Sequence, residues 1–202
     1  MLVRAIRFAD QAAWHVAEPT PVEQLEWNDL QAGGITAMGE ALELVGAALQ
    51  SPPMEERALP PVLVLISDGQ PTDDFDAGLA RLMRQPWAQK AVRLAIAMGH
   101  DADLEVLQQF IGPEPKGGGR SARRPLQASN ATSLAQYIQW ASTAVVGAAS
   151  MPASRVAASD RQTSAGEAWA AGSSSSTEGN IPLPDLPPTL MDPTDDVGPL
   201  VW

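Results

Sequence analysis

Residues 61–74 of the chain read Pro61-Val62-Leu63-Val64-Leu65-Ile66-Ser67-Asp68-Gly69-Gln70-Pro71-Thr72-Asp73-Asp74. The five consecutive aliphatic residues have the composition of a strand buried on both faces of a parallel sheet. The run passes directly into a polar loop, and open α/β sheets bind their ligands at the carboxyl ends of strands. Asp68 is therefore the first candidate site residue, although an aspartate before a glycine is also common in an ordinary turn.

The overall composition narrows the class of function. The chain has 24 acidic and 13 basic residues, a net charge of −11, and no cysteine. This balance argues against binding to nucleic acid and favours a basic protein partner or a bound cation. The absence of cysteine excludes disulfides and thiolate metal sites. The sequence shows neither a signal peptide nor an apolar stretch that could span a bilayer, so we expect a cytoplasmic protein with no membrane partner.

Short apolar runs alternate with helical patterns along most of the chain. The predicted strands are residues 1–8, 12–16, 62–66, 91–98 and 125–128. The predicted helices are residues 36–49, 75–84, a segment that begins near Leu104, and residues 132–148. Strands that alternate with helices indicate an α/β fold with a parallel sheet and right-handed crossovers.

Polar residues and prolines mark the expected helix ends. Thr36 is placed to cap the first helix, and Asp73 or Asp74 to cap the second, which Pro86 should end. Val22 to Leu30 is predicted to form a short helical turn. His100, Asp101 and Asp103 follow the 91–98 strand, where they are either a helix cap with acidic first-turn residues or a metal cluster.

The composition changes after residue 149, which divides the chain into three parts. Residues 1–149 are predicted to form the α/β domain, and the Ser-, Ala- and Gly-rich residues 150–180 a disordered linker. Residues 181–202 are rich in Pro and Asp, regain apolar residues and end on Trp202. A proline-rich segment with a terminal tryptophan is a candidate linear motif for a partner groove.

The loop motifs resemble those of a known family. The residues 64–73, with Ser67-Asp68-Gly69, resemble the last metal motif of von Willebrand factor A domains, in particular the bacterial tellurium-resistance TerY-like branch. Residues 33–42, with Gly34-Ile35-Thr36, are similar to the preceding threonine motif. Residues 97–104 and the helix containing Tyr137 to Trp140 also resemble that branch, so the resemblance covers roughly residues 3–148.

The resemblance implies a three-layer, Rossmann-like sheet with helices on both faces and a metal-ion-dependent adhesion site. Thr36 would supply a hydroxyl and Asp68 a carboxylate to Mg²⁺, which prefers oxygen ligands in octahedral geometry. Gly34, Ser67, Gly69, His100 and Asp101 would lie on the partner-binding loops. The partner would be a kinase or a phosphatase of a stress-response or phosphorylation-linked system.

The chain departs from this family at its beginning. The first metal motif, Asp-x-Ser-x-Ser, is absent, and Met1 to Phe8 matches the second strand of the family. We therefore expect an N-terminally truncated domain that lacks its central strand and the following helix. Either the flanking strands then pair directly or backbone groups stay open. With two ligands left, Mg²⁺ is expected to bind weakly or not at all.

Three functions follow from these patterns. The first is a non-enzymatic protein-interaction module of the von Willebrand A type with an incomplete metal site. The second is a scaffold that presents the peptide ending at Trp202. The third is a hydrolase using Ser67 with His15 or His100, which is disfavoured because Ser67 lacks a nucleophile-elbow context.

Overall fold

The computed structural model describes residues 1–149 except 32, 53, 56, 57, 100 and 114–123. These residues form two compact units. The first contains Met1–Ala58 and Gly69–Gln89, and the second contains Leu59–Asp68 and the described residues from Lys90 onward. The predicted linker, the tail and Trp202 lie outside the described residues. No helix in the described ranges combines the length and the apolar character needed to cross a membrane.

The first unit begins with an antiparallel hairpin. Strand β1, Leu2–Phe8, pairs with strand β2, Ala12–Pro21. The prediction that the second strand ends near residue 16 was wrong, because β2 continues through Pro19; an edge strand tolerates the missing N–H. The predicted helical turn is shorter than expected and consists of a single 3₁₀ turn at Val22–Gln24.

Three helices complete the first unit. Helix α1, Met38–Ala48, packs against both hairpin strands and against helix α2, Phe75–Met83. Pro86 was expected only to end the second helix; it also begins a short helix α3, Pro86–Lys90. Proline is well tolerated in the first helical turn, where its missing N–H would have no partner in any case. The helical spacing of Met38, Leu42, Val45 and Leu49 predicts the inward face of α1. Met38, Leu42 and Leu49 are buried, so this face is largely confirmed.

The second unit is built on a parallel sheet of three strands in the order β3-β4-β5. The strands are β3, Val62–Ser67, β4, Val92–Met98, and β5, Leu126–Ala128. Helix α4, Leu104–Ile111, contacts β4, and helix α5, Ala131–Trp140, contacts β4 and β5. The mixed α/β class and the parallel arrangement of these predicted strands are therefore confirmed.

The burial of β3 differs from the prediction. Leu65 and Ser67 are buried, but Val64 is 40% exposed, so this strand is not covered on both faces. In the part of the chain that the structure describes, β3 pairs only with β4, and β1 pairs only with β2. The two strands expected to flank the missing one thus do not pair with each other, and β3 lies at one edge of the described three-stranded sheet.

The apolar spacing of the last helix predicts an inward face of Leu134, Ile138, Ala141 and Val145. Ala141 is buried and Leu134 packs against a buried cluster, as predicted, but the prediction for Ile138 was wrong. Ile138 is 43% exposed, whereas the large aromatic residues Tyr137 and Trp140 are buried. Because aromatic side chains bury the most area, they set the rotation of the helix about its axis. Instead of running unbroken to residue 148, the helix passes into a π-helical turn, Ala141–Val145, followed by a short helix α6, Val146–Ala149.

Tyr137 should make the stability of the second unit depend on alkaline pH. Burial raises its pKa above the ordinary value of about 10. Stability contributed by the neutral phenol is complete below that value and is lost as the pH rises through the raised pKa. Tyr137 is the only tyrosine, so tyrosinate absorbance reports this group alone. Titration at the ordinary value, unchanged by denaturant, would contradict the prediction.

Candidate functional site

The N-terminus of helix α1 is held by a carboxylate from a distant loop. Asp73 accepts hydrogen bonds from the backbone N–H of Gly39, at 2.9 Å, and of Glu40, at 2.8 Å, one on each oxygen. The first N–H groups of a helix lack internal partners and carry partial positive charge, so they favour an anion. The prediction that Thr36 caps this helix was wrong, since Ala37 occupies the cap position and makes no side-chain bond there.

The neighbouring aspartate serves a different helix. Asp74 is the N-cap of α2 and accepts a hydrogen bond from Ala77 N at 3.0 Å. The sequence predicted that either Asp73 or Asp74 caps the second helix. Asp74 is that cap, and Asp73 instead accepts hydrogen bonds from the start of α1. Two adjacent carboxylates therefore join the start of α2 to the start of α1.

Thr36 and Thr72 form a reciprocal pair beside these caps. The backbone N–H of Thr36 donates to the hydroxyl of Thr72 at 3.0 Å, and the backbone N–H of Thr72 donates to the carbonyl of Thr36 at 2.9 Å. A Cβ added to Gly69 would lie 3.4 Å from the Thr36 hydroxyl oxygen. The structure thus brings together two predicted site residues, Thr36 and Gly69, through the loop that follows β3.

The turn of the hairpin is fixed to the same segment. Asp10 accepts a hydrogen bond from Ile35 N at 3.0 Å, and Glu40 accepts one from Ala12 N at 2.8 Å. The backbone also contributes, since Ala37 N donates to Ala9 O. We call residues 9–12, 34–40 and 69–74 the loop cluster. All of its parts belong to the first unit.

Gly34 is required by the close approach of Asp10. Its φ is +85°, a conformation that other residues seldom adopt, and a Cβ there would lie 2.6 Å from an Asp10 carboxylate oxygen. Both Gly34 and Asp10 are exposed. Gly34 therefore lets the loop lie against the hairpin turn while staying on the surface.

The remaining predicted site residues belong to the second unit. Asp68 follows β3 and Asp101 follows β4, and both are exposed. Ser67 is 4% exposed, so its side chain offers almost no surface to a partner. Of the cluster after β4, Asp103 is the N-cap of α4, because it accepts hydrogen bonds from Glu105 N and Val106 N. His100 lies outside the described residues.

The residues present offer few protein ligands to Mg²⁺. Thr36 and Asp68 contribute one hydroxyl and one carboxylate, so water or a partner would have to supply most of the six oxygens around the ion. The carboxylates of Asp10 and Asp73, which bond to the segment around Thr36, already accept backbone N–H groups. Among the described residues, no three or more His, Cys, Asp or Glu side chains are grouped to hold a metal.

Three residues of the loop cluster were missed by the sequence reasoning as site residues: Asp10, Thr72 and Asp73. Thr72 and Asp73 lie in the polar loop after β3, where a site was expected. Their hydrogen-bond partners are more than 30 residues away in sequence, so the sequence did not reveal these contacts. Asp10 lies in the short turn between the first two predicted strands, a position that gave no signal of a site. No protein-family model matches this chain, and neither a curated protein nor a solved structure matches it.

Proposed function

We propose that this chain is a non-enzymatic protein-interaction module whose partner contacts the loop cluster around Gly34, Thr36 and Gly69. The observation that carries the proposal is the reciprocal pair of Thr36 and Thr72 beside the Asp73 cap. These bonds join residues 34–40 to residues 69–74, and the bond from Ile35 N to Asp10 adds the hairpin turn. A surface that is ordered before binding loses less conformational entropy when a partner docks.

The charge of the loop cluster indicates the kind of partner. Asp10, Glu40, Asp73 and Asp74 are all exposed, and the whole chain carries a net charge of −11. Each of these carboxylates holds a backbone N–H, which fixes its position without removing its negative charge. A protein with a basic surface would be steered to this side and oriented there.

The von Willebrand A type of the module is part of the proposal. It is supported by the order of the motifs around Thr36 and Asp68 and by the parallel strands β3, β4 and β5. On this assignment the module would have the three-layer arrangement of that family. The TerY-like resemblance names the partner class as a kinase or a phosphatase of a cytoplasmic stress-response system.

The metal site of such a module would be degenerate in this chain. Because the donors at Thr36 and Asp68 do not complete an octahedral set, we expect no Mg²⁺ binding with sub-micromolar affinity. Isothermal titration of the full chain with MgCl₂ measures this directly, with Asp68→Ala as the comparison. Tight binding that Asp68→Ala abolishes would contradict the assignment of an incomplete site.

The test of the function uses an affinity measurement with the full chain. Proteins captured from the native cytoplasm are identified, and the affinity of the purified partner is measured for Thr36→Arg. We expect binding to weaken by roughly tenfold or more, because the new cation repels a basic surface at the centre of the contact. The matched control is Thr132→Arg, at an exposed threonine of α5.

The same affinity measurement distinguishes binding through the loop cluster from the alternative function, a scaffold that presents the tail peptide. A version ending at Asn180 keeps the loop cluster and removes the segment that ends at Trp202. If the shortened chain loses the partner while Thr36→Arg retains it, the tail is the binding element and the proposal fails. Equal affinity for Thr36→Arg and Thr132→Arg would also overturn it.

A further inference from the structure

A groove lies between the ends of helices α1 and α2 in the first unit. The two helices run in the same direction, since Gly39 lies against Gly78 near their starts and Gly46 lies against Leu82 near their ends. At the latter end the helices leave a cavity of about 270 Å³, which we call the arginine groove. Its polar lining, all within the first unit, consists of Glu43, Gln50, Arg81, Arg84 and Gln85.

The two arginines of the groove differ in their partners. Arg81 forms a salt bridge with Glu43 of α1, and its side chain is still 59% exposed. Arg84 follows one helical turn later, at the C-cap of α2, and is exposed. Among the described residues, no hydrogen bond or ion pair reaches its guanidinium. Because a guanidinium carries several N–H donors and no acceptor, both arginines keep donors that a ligand can use.

Neutral hydrogen-bond donors lie in the same lining as Arg84. The side chains of Gln50 and Gln85 both line the groove, and neither bonds to another residue in the part of the chain that the structure describes. A side-chain amide supplies N–H donors that can share a ligand with a guanidinium. The groove therefore collects donors around a single carboxylate, Glu43, which is already paired with Arg81.

We propose that the arginine groove binds one small oxyanion, a carboxylate or a phosphate group. The N–H groups of a guanidinium match the paired oxygens of both groups. Two guanidiniums and the Glu43 carboxylate leave one net positive charge in the lining, although the whole chain carries a net charge of −11. Pockets for drug-sized ligands measure about 300–1,000 Å³. The groove is smaller, so it fits a single acidic group or a small acid.

The helix ends limit the strength of this binding. Helices α1 and α2 both end at the groove, and the carbonyl groups at helix C-termini carry partial negative charge that repels an anion. The guanidiniums must therefore supply the attraction, and Glu43 competes with the ligand for Arg81. We expect a dissociation constant on the order of 1–10 mM. The groove lies at the opposite end of α1 from Asp73 and the loop cluster, so this site does not rest on the proposed function.

An NMR titration of the isotope-labelled full chain tests the proposal. Sodium acetate and sodium phosphate are added in separate experiments at constant ionic strength, with sodium chloride as the reference salt. We expect saturable shifts of the Arg84 Nε–H signal and of the side-chain amides of Gln50 and Gln85, and none with chloride alone. The ratio of the two dissociation constants shows whether the groove prefers a carboxylate or a phosphate.

Two variants of the lining should change the affinity in opposite directions. Arg84→Gln should weaken binding by roughly tenfold or more, because it removes the guanidinium that is available to the ligand. Glu43→Gln should tighten binding by roughly threefold, since it removes the competing carboxylate and releases Arg81. Arg7→Gln is the matched control, because it removes an exposed arginine from β1 of the same unit and changes the net charge by the same amount as Arg84→Gln.

The opposite signs protect the test against a folding defect, because a misfolded chain cannot bind the anion more tightly. The absence of a saturable shift with either acetate or phosphate overturns the proposal. Binding that Arg84→Gln leaves intact, that Arg7→Gln weakens equally, or that Glu43→Gln fails to tighten does so too.

Discussion

Gly78→Ala is expected to lower the free energy of unfolding by about 3 kcal/mol. A Cβ at Gly78 would lie 2.4 Å from the carbonyl oxygen of Gly39 and 2.6 Å from its Cα. Both are backbone atoms of α1, so no side chain can rotate away and the two helices must separate. That separation also disturbs the start of α1, where Asp73 bonds to Gly39 N and Glu40 N.

Urea denaturation followed by circular dichroism measures this effect, with Gly46→Ala as the control. Gly46 lies in the same helix contact, but its added Cβ would be 3.4 Å from Leu82 Cα, which needs little adjustment. Because alanine favours a helix interior over glycine, the control should change stability by no more than about 1 kcal/mol. Equal stabilities of the two variants would show that α1 and α2 are not in close contact at Gly39 and Gly78.

Asp73→Ala is expected to cost about 2 kcal/mol of stability, because it removes two charge-assisted hydrogen bonds from the start of α1. Asp73→Asn keeps one good acceptor and loses the charge, so its cost should be roughly half as large. Amide hydrogen exchange provides the local measurement. Protection should fall at Gly39 and Glu40, the two N–H groups that the carboxylate accepts.

A matched control tests whether the loss of stability comes from the cap or from the removal of any surface carboxylate. Asp29→Ala removes an exposed carboxylate from a segment outside the helices and strands. Surface changes of this kind usually stay within about 0.5 kcal/mol. If Asp73→Ala is equally mild, or if Gly39 and Glu40 keep their protection, Asp73 does not hold the helix in solution.

Local pattern was sufficient for most of the secondary structure. The runs that became β3, β4 and β5 were predicted from their aliphatic and β-branched content, and the helices from apolar spacing and cap residues. Asp103 and Asp74 cap the helices that directly follow them, as N-cap chemistry predicts. These features depend on residues within a few positions of one another, so they can be predicted from the sequence alone.

The predictions that were wrong concern features that are set by residues far apart in the sequence. Thr36 has the chemistry of a cap, but the loop brings Asp73 to α1 and a full negative charge displaces the weaker hydroxyl. Ile138 fits a helical apolar face, but the bulk of Tyr137 and Trp140 rotates the helix away from it. Val64 lies in a run that predicts burial on both faces of the sheet, but it is 40% exposed, because cover of a face depends on which distant segments pack there.

The sequence by itself determined the α/β class, the parallel strands and the polar loop after β3, because hydrophobic periodicity and turn chemistry act over short distances. Only the tertiary structure decided which loops meet. It joined Asp10 to Ile35, Thr36 to Thr72 and Asp73 to the start of α1. It also brought Arg81 and Arg84 together with Glu43 at one groove. Those arrangements depend on packing between segments tens of residues apart, which no local pattern of the chain encodes.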